Sequence, residues 1–417
     1  MILVNRFIKN YISLHSNLNM ANKNYTTTTK KVATKRKVED IGLSLDDDLD
    51  ENECDSCGED ESNKKLKIDS NQTKITQFFT SGSSTLSSPS SGTTKKSKSK
   101  KPVQTLPKAD PKEDDKFVNN FNSSKEQKLE NIKIGAHMSV GNGISTLIGR
   151  AVYCGFKAIA FFTNPPRAWK HQKLKDGEAN RFKEECKKHN FSTKFIMPHG
   201  SYFLNLGSPE SDKLQKSRDL LVHELNICEQ LSIPLYNFHP GSHLNLISES
   251  ESLKVVSESI NYAINKTKDV ILVIECTAGQ GTNLGHKFEH IRDIIEGVVN
   301  KDRVGVCLDT CHMFAAGYDL TTKTSCQRVF EQFDQIVGFK YLKGIHLNDS
   351  KTDLGSLKDR HENIDKGCIG NRCFRFIVND SRFQNMPMIL ETAGNHINET
   401  KQLYSYIEDD LNEKNNR

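Results

Sequence analysis

Eight short apolar runs, four of them closing on a histidine or a carboxylate, limit this chain more than any other feature. The runs are Ile132–Ala136, Ala158–Phe162, Phe195–Pro198, Leu235–His239, Val270–Glu275, Val304–Asp309, Tyr341–Leu347 and Pro387–Glu391. Longer amphipathic stretches lie between them, among them Asp212–Leu231, Glu249–Lys266, Phe288–Val299 and Cys326–Val337. Continuous β-branched runs of about four to six residues suit parallel strands buried on both faces. The alternation predicts an α/β fold of eight β/α units, a (β/α)8 TIM barrel, which typically needs about 250 residues. An open doubly wound sheet is the competing solution. It is disfavoured because no glycine-rich phosphate fingerprint follows the first run.

The residues before about 131 are of a different kind, so the chain divides into a tail, 1–130, and a barrel, 131–417. Only 35% of the chain is hydrophobic, low for a fully globular protein, and the deficit lies in the tail. An acidic run from Glu39 to Glu61 and a Ser/Thr/Gly stretch from Thr80 to Thr94 offer too little apolar surface to fold. The tail is therefore expected to be disordered. Met1 to Asn19 carries Arg6, Lys9 and several large apolar residues but no acid, the composition of a mitochondrial presequence. An extension upstream of a second start at Met20 explains it equally well. Basic clusters at Lys30–Lys37 and Lys95–Lys101 suit nuclear import receptors or DNA phosphates. The expected residence is the nucleus, with the mitochondrion left open. Cys54-x-x-Cys57 is half a zinc site with no second half nearby, and reads as incidental.

Charge and cysteine usage narrow the chemistry. A net charge of +5 is too mild for a protein that binds nucleic acid through bulk charge alone, so any DNA contact must come from local patches and metal ions. The cysteines are scattered singly, as at Cys154, Cys186, Cys228 and Cys326, which suits a reducing compartment. No apolar stretch approaches the roughly 20 residues of a membrane-spanning helix. The expectation is a monomer without membrane attachment.

The ends of the runs carry the chemistry. In a TIM barrel all strand C-termini meet at one face, where active sites form. That face would receive His199 after the third run, His239 at the fourth, Glu275 at the fifth, Asp309 with His312 at the sixth, His346 at the seventh and Glu391 at the eighth. Asp359 and His361 follow shortly after. Imidazole and carboxylate without thiolate suit a catalytic zinc, manganese or iron site. The nine donors exceed the needs of one ion and serve two or three, with a carboxylate as bridge. Each residue alone could be a strand cap or a solvated edge. Together, without metal, they would repel and desolvate one another. His171, His189, His223, His286, His290 and His396 fall on helices or loops and read as surface or packing residues; His137 and His243 lie near the mouth without an assigned role.

These residues resemble the endonuclease IV family over the whole stretch from Ile132 to the C-terminal helix. The resemblance rests on Ile134-Gly-Ala-His-Met-Ser139, Asn237-Phe-His-Pro-Gly-Ser-His243, Gly279-Gln-Gly-Thr-Asn-Leu-Gly285 and Gly305-Val-Cys-Leu-Asp-Thr-Cys-His312. The most specific piece runs from Ile345-His-Leu-Asn-Asp to Asp359-Arg-His361. The resemblance implies three zinc ions. His199, His239 and Glu275 would hold one, and Glu275 would bridge to a second held also by Asp309, His346 and Glu391. His312, Asp359 and His361 would hold the third. It further implies cleavage of double-stranded DNA 5′ to an abasic site, leaving a 3′-hydroxyl and a 5′ deoxyribose phosphate. Glu275 and Glu391 would serve catalysis, Arg167 and Tyr202 would touch the DNA, and 3′-end trimming is a further expected activity. Ala168, Cys276 and Asp365-Lys366-Gly367 depart from the family pattern, which bears on DNA contact and not on the metals.

In the tail, Gln72-Thr-Lys-Ile75-Thr-Gln-Phe78-Phe79 resembles the PIP box, the peptide that docks on the replication sliding clamp (PCNA). One helical turn would set Ile75, Phe78 and Phe79 against an apolar groove while Gln72 bonds backbone groups. Two other readings compete. A sugar isomerase or epimerase would account for Glu275, Asp309, His346 and Glu391 but leaves His312, Asp359 and His361 unexplained. A non-catalytic scaffold would predict missing ligands, and none is missing.

Overall fold

A computed structural model describes residues 125–408. Residues 1–124 and 409–417 lie outside the described residues, and with them the presequence-like start, both basic clusters and the clamp motif at 72–79.

The sheet strands are β1 (Lys133–His137), β2 (Ala158–Ala160), β3 (Leu235–Phe238), β4 (Ile271–Glu275), β5 (Val304–Asp309) and β6 (Leu342–His346). A short antiparallel pair follows, β7 (Asp349–Ser350) with β8 (His361–Glu362), and then the last sheet strand, β9 (Pro387–Leu390). The seven sheet strands are ordered β2-β1-β9-β6-β5-β4-β3, all neighbours parallel. Residues 196–199 close the ring between its two edges: Ile159 pairs with Ile196, Phe162 with His199 and His199 with Asn237. The result is a TIM barrel.

One expected strand differs. Phe195–Pro198 is not a regular strand, because Thr193–Phe195 forms a 3-10 turn and the pairing that follows consists of isolated bridges. Pro198 has no N–H to donate, which breaks the ladder in the middle of the segment. Its carbonyl still accepts from Asn237 N at 2.9 Å, so the eighth place in the barrel is filled.

Side-chain size explains the closure. The barrel interior is a small cluster of Ala158, Ala160, Met197, Leu235, Val273, Cys307 and Ile389. The larger apolar layer lies outside it, between strands and helices, with Phe238, Leu272, Phe330 and Phe374 fully buried. Gly135 on β1 faces the Ala158 backbone so closely that a Cβ would sit 1.6 Å from the Ala158 carbonyl oxygen. No larger residue fits that approach. The helices are bounded by local signals. Ser248 opens Glu249–Ile264 with a capping box to Glu251, and Asp309 caps Thr310–Ala316 by accepting from His312 N at 2.8 Å.

Candidate metal centre

The strand ends deliver the expected side chains to one bowl. Glu275 ends β4, Asp309 ends β5 and His346 ends β6; Glu391 directly follows β9, and His239 directly follows β3. Asp309 pairs in register with His346, so both stand at one level of the barrel. His361 begins β8, which the β7–β8 pair folds back over the mouth.

The donors fall into three groups, two of them sharing Glu275, and within each group the ligand atoms lie within 4.8 Å of one another: His199, His239 and Glu275; Glu275, Asp309, His346 and Glu391; His312, Asp359 and His361. Glu275 is fully buried and belongs to two of them. His199 Nε2 and His239 Nε2 lie 3.2 and 3.4 Å from Glu275 Oε2, and His346 Nδ1 lies 3.1 Å from both Glu275 Oε1 and Glu391 Oε2. His312 Nε2 and His361 Nε2 lie 3.1 and 3.2 Å from the two oxygens of Asp359. Two donors on one tetrahedral zinc, each about 2.0–2.2 Å from the ion, stand about 3.3 Å apart, the spacing found here.

The hydrogen bonds fit the same reading. Among the described residues the buried Nε2 atoms of His239, His312 and His361 face carboxylate oxygens without well-aligned hydrogen bonds. Meanwhile His199, His312 and His361 rest their Nδ1 atoms on the carbonyls of Gly200, Cys276 and Glu391 at 2.8, 2.9 and 3.2 Å. That contact places one ring proton on Nδ1 and turns Nε2 toward the carboxylates, the orientation of a metal-ligating histidine, in which an ion would take the place of a second proton. Histidine and carboxylate donors without thiolate suit a metal ion such as zinc. Cys311 lies close to Asp309 and His361, but burial pushes its thiol up to about 12 and its S–H points to the Arg360 carbonyl at 3.5 Å.

Without ions the groups hold one another by charge. Burial favours the neutral acid at Glu275, yet His346 and His239 keep its carboxyl well below the usual range. Burial would strip the proton from His361, but Asp309 and Asp359 raise it to about 9. His312 is likewise raised well above its ordinary value, against burial, by Asp309 and Asp359.

Three residues here carried no role in the sequence. Asn348 donates to Asp309 Oδ2 at 2.7 Å and accepts from Glu391 N at 2.9 Å. Asn237 donates to Glu275 Oε2. His137 ends β1 one residue beyond the Ala136–Leu390 pair, level with Glu391; burial lowers its pKa to about 4, and its buried Nε2 is unpartnered.

A further histidine–carboxylate group, Glu249, His286 and His290, has the opposite polarity. His290 Nδ1 accepts from Gly285 N at 3.2 Å, which places its proton on Nε2, 2.9 Å from Glu249 Oε1. Lys287 Nζ reaches the same oxygen at 3.0 Å. A proton and an ammonium occupy the place of a cation, so this cluster ties two helix starts together. His290 was expected among the surface or packing residues, and it is a buried one.

The rim carries the expected DNA-contact residues. Arg167 is exposed on the loop after β2, and Tyr202 is 57% exposed with its ring 5.2 Å from Phe162. Their loops are joined by Tyr202 N donating to Pro166 O at 2.9 Å. Phe203 and Trp169, also exposed, pack 5.4 Å apart beside them, forming an aromatic patch the sequence did not reveal.

Residues 148–409 match the family model described as the xylose isomerase-like TIM barrel. The chain belongs to that family. Within it, the chain is similar to the endonuclease 4 homolog of Dictyostelium discoideum, 62% identical over 299 residues, which cover 71% of this chain and 55% of that protein. The chain thus spans a little over half the length of this curated relative. Endonuclease IV from Thermus thermophilus is similar in structure, with a TM-score of 0.59 and 27% identity, covering 68% of this chain and all of that one. A D-tagatose 3-epimerase-like protein shares the fold alone, with a TM-score of 0.51 and 16% identity over 68% of this chain and 99% of its own.

Proposed function

We propose that this xylose isomerase-like barrel is a zinc-dependent apurinic/apyrimidinic endonuclease of base excision repair. It would hydrolyse the phosphodiester 5′ to an abasic site, leaving a 3′-hydroxyl and a 5′ deoxyribose phosphate, and would also trim blocked 3′ ends. The observation that carries this reading is the third group, His312, Asp359 and His361, set beside the two groups that share Glu275. A sugar-epimerising barrel has no use for that third group. The endonuclease names of the Dictyostelium and Thermus relatives point the same way.

His199, His239 and Glu275, then Glu275, Asp309, His346 and Glu391, then His312, Asp359 and His361 would hold three zinc ions. When bound, such ions acidify water and neutralise the charge that gathers on a phosphodiester under attack. The protein's own residues do the remainder. Glu275 fixes the spacing between two of the groups from full burial. Glu391, the more open of the two glutamates at 15% side-chain exposure, orients the attacking water. Arg167 supplies a guanidinium to backbone phosphate, and Tyr202 fills space beside the extruded sugar. An abasic nucleotide has lost its stacking, so it leaves the duplex at less cost than an intact one. The tail would dock on the sliding clamp through Gln72, Ile75, Phe78 and Phe79, and its basic clusters would direct a monomeric enzyme to the nucleus.

The test uses the full chain and a labelled duplex carrying one tetrahydrofuran abasic site, with and without prolonged chelation, beside Glu275→Gln. A single cut 5′ to the lesion, lost on chelation and in the variant, is the expected result. An intact strand, with ketose epimerised instead, overturns it.

A further inference from the structure

Beneath the His199–Tyr202 turn lies a buried acid. Glu224, on helix Ser211–Leu231, and Tyr236, on β3, are both fully buried. The Tyr236 hydroxyl donates to Glu224 Oε2, and Ser201 N approaches the same oxygen at 3.5 Å. Glu224 Oε1 has no hydrogen-bond partner among the described residues. Burial pushes the Glu224 carboxyl up to about 7. An acid so placed adds little to stability that an apolar side chain would not. Its contacts lead instead to the turn.

The same pair shapes the residue between metal group and rim. A Cβ on Gly200 would sit 2.7 Å from the Tyr236 hydroxyl, so Tyr236 admits only glycine there unless the turn moves. The Gly200 carbonyl receives His199 Nδ1 at 2.8 Å, which orients that imidazole. One residue on, Ser201 Oγ donates to Pro166 O at 2.9 Å, on the loop that carries Arg167 and Trp169. We propose that Glu224 and Tyr236 are positioning residues: a buried brace that sets the His199–Tyr202 turn and, through Ser201 and Pro166, the Arg167 loop. The brace thereby fixes the distance between the metal group and the side chains that receive the damaged strand. The substrate part of this inference rests on the endonuclease reading; the loop part does not.

Trp169 is the single tryptophan of the chain, so its emission reports the Arg167 loop directly. The test takes full-length Glu224→Gln, Tyr236→Phe, Gly200→Ala and Gly200→Ala/Tyr236→Phe proteins. Tyr236→Phe is the mild variant and keeps the ring in the core. Expected in Glu224→Gln and Tyr236→Phe are easier acrylamide quenching of Trp169 and unchanged zinc content. Lesion-duplex binding should weaken about tenfold, the size of an outer-shell effect, as a rise in KM with kcat little altered. Gly200→Ala should be the most damaged, and adding Tyr236→Phe should restore part of its binding, because the clashing hydroxyl is gone. Wild-type quenching and affinity in Tyr236→Phe, or no rescue in the double variant, overturns the brace. Altered Trp169 quenching with no incision by the wild-type protein leaves the brace standing and removes the endonuclease reading.

Discussion

Asn348 donates its side-chain amide to Asp309 Oδ2 at 2.7 Å. Its carbonyl oxygen accepts from Glu391 N at 2.9 Å, so one buried amide ties the Asp309 carboxylate to the backbone of Glu391. Changing Asn348 to Asp replaces the donor by a like charge facing Asp309. The expected outcome is a loss of metal affinity at that group of about 10- to 100-fold, measured by titration with zinc in a chelator buffer. Wild-type affinity would show that Asp309 is oriented by other means.

Glu275 joins two groups, so its neutral isostere should disturb both. Glu275→Gln is expected to reduce bound zinc by more than one ion per chain and incision by more than the roughly hundredfold typical of an outer-shell loss. Elemental analysis beside a cleavage assay separates the two effects. Full zinc content with lost cleavage would assign Glu275 to the chemical step alone.

The metal-free centre stores protons. Asp309 and Asp359 hold His361, despite burial, at about 9, above the ordinary 6.5, so its imidazole is charged at neutral pH. A metal ligand must be neutral, so binding zinc at pH 7 should release protons. The sign is that affinity falls as pH is lowered. Calorimetric titration of the metal-free protein in buffers of different ionisation enthalpy checks it, and a buffer-independent heat would refute it.

Asp349 organises the loop behind the third group. Its carboxylate accepts from the backbone N–H groups of Ser350 at 2.8 Å, Gly367 at 3.1 Å, Ile369 at 2.9 Å and Gly370 at 3.3 Å. Asp349→Ala orphans these donors and is expected to lose about 2–4 kcal/mol of stability, read by denaturant unfolding. Zinc should leave the His312–Asp359–His361 group before the others.

Glu224 also links stability to pH. Burial raises its carboxyl from 4.5 to about 7. The folded state therefore binds the proton more tightly than the unfolded chain, and this stabilisation is complete below about 4.5 and lost as pH rises to about 7. Glu224→Gln has no such dependence. Its melting temperature should gain on wild type as pH rises through that window; a constant difference would place the Glu224 titration elsewhere.

The period of the sequence was enough for the barrel, because runs such as Ile271–Glu275, buried along nearly their whole length, leave parallel strands under helices as the workable layering. The donors were legible for a related reason: a polar residue closing an apolar run must lie at a strand end, and strand ends share one face. The Phe195–Pro198 segment departs from its strand-like composition because Pro198 interrupts the ladder. Asn348, Asn237 and the Glu224–Tyr236 pair were invisible because their meaning lies in partners far away in sequence.

The amino-acid sequence by itself determined which side chains stand at or shortly beyond the strand ends and therefore the inventory of the bowl: His199, His239, Glu275, Asp309, His312, His346, Asp359, His361 and Glu391. Periodicity and residue type are local properties, and they survive reading one residue at a time. Only the tertiary structure decided how those donors divide into groups, which imidazole nitrogen faces inward, and why Glu249 is met by Lys287 and a neutral His290 instead. Tautomer, spacing and proton affinity depend on atoms a few ångströms away, and barrel closure alone sets which atoms those are.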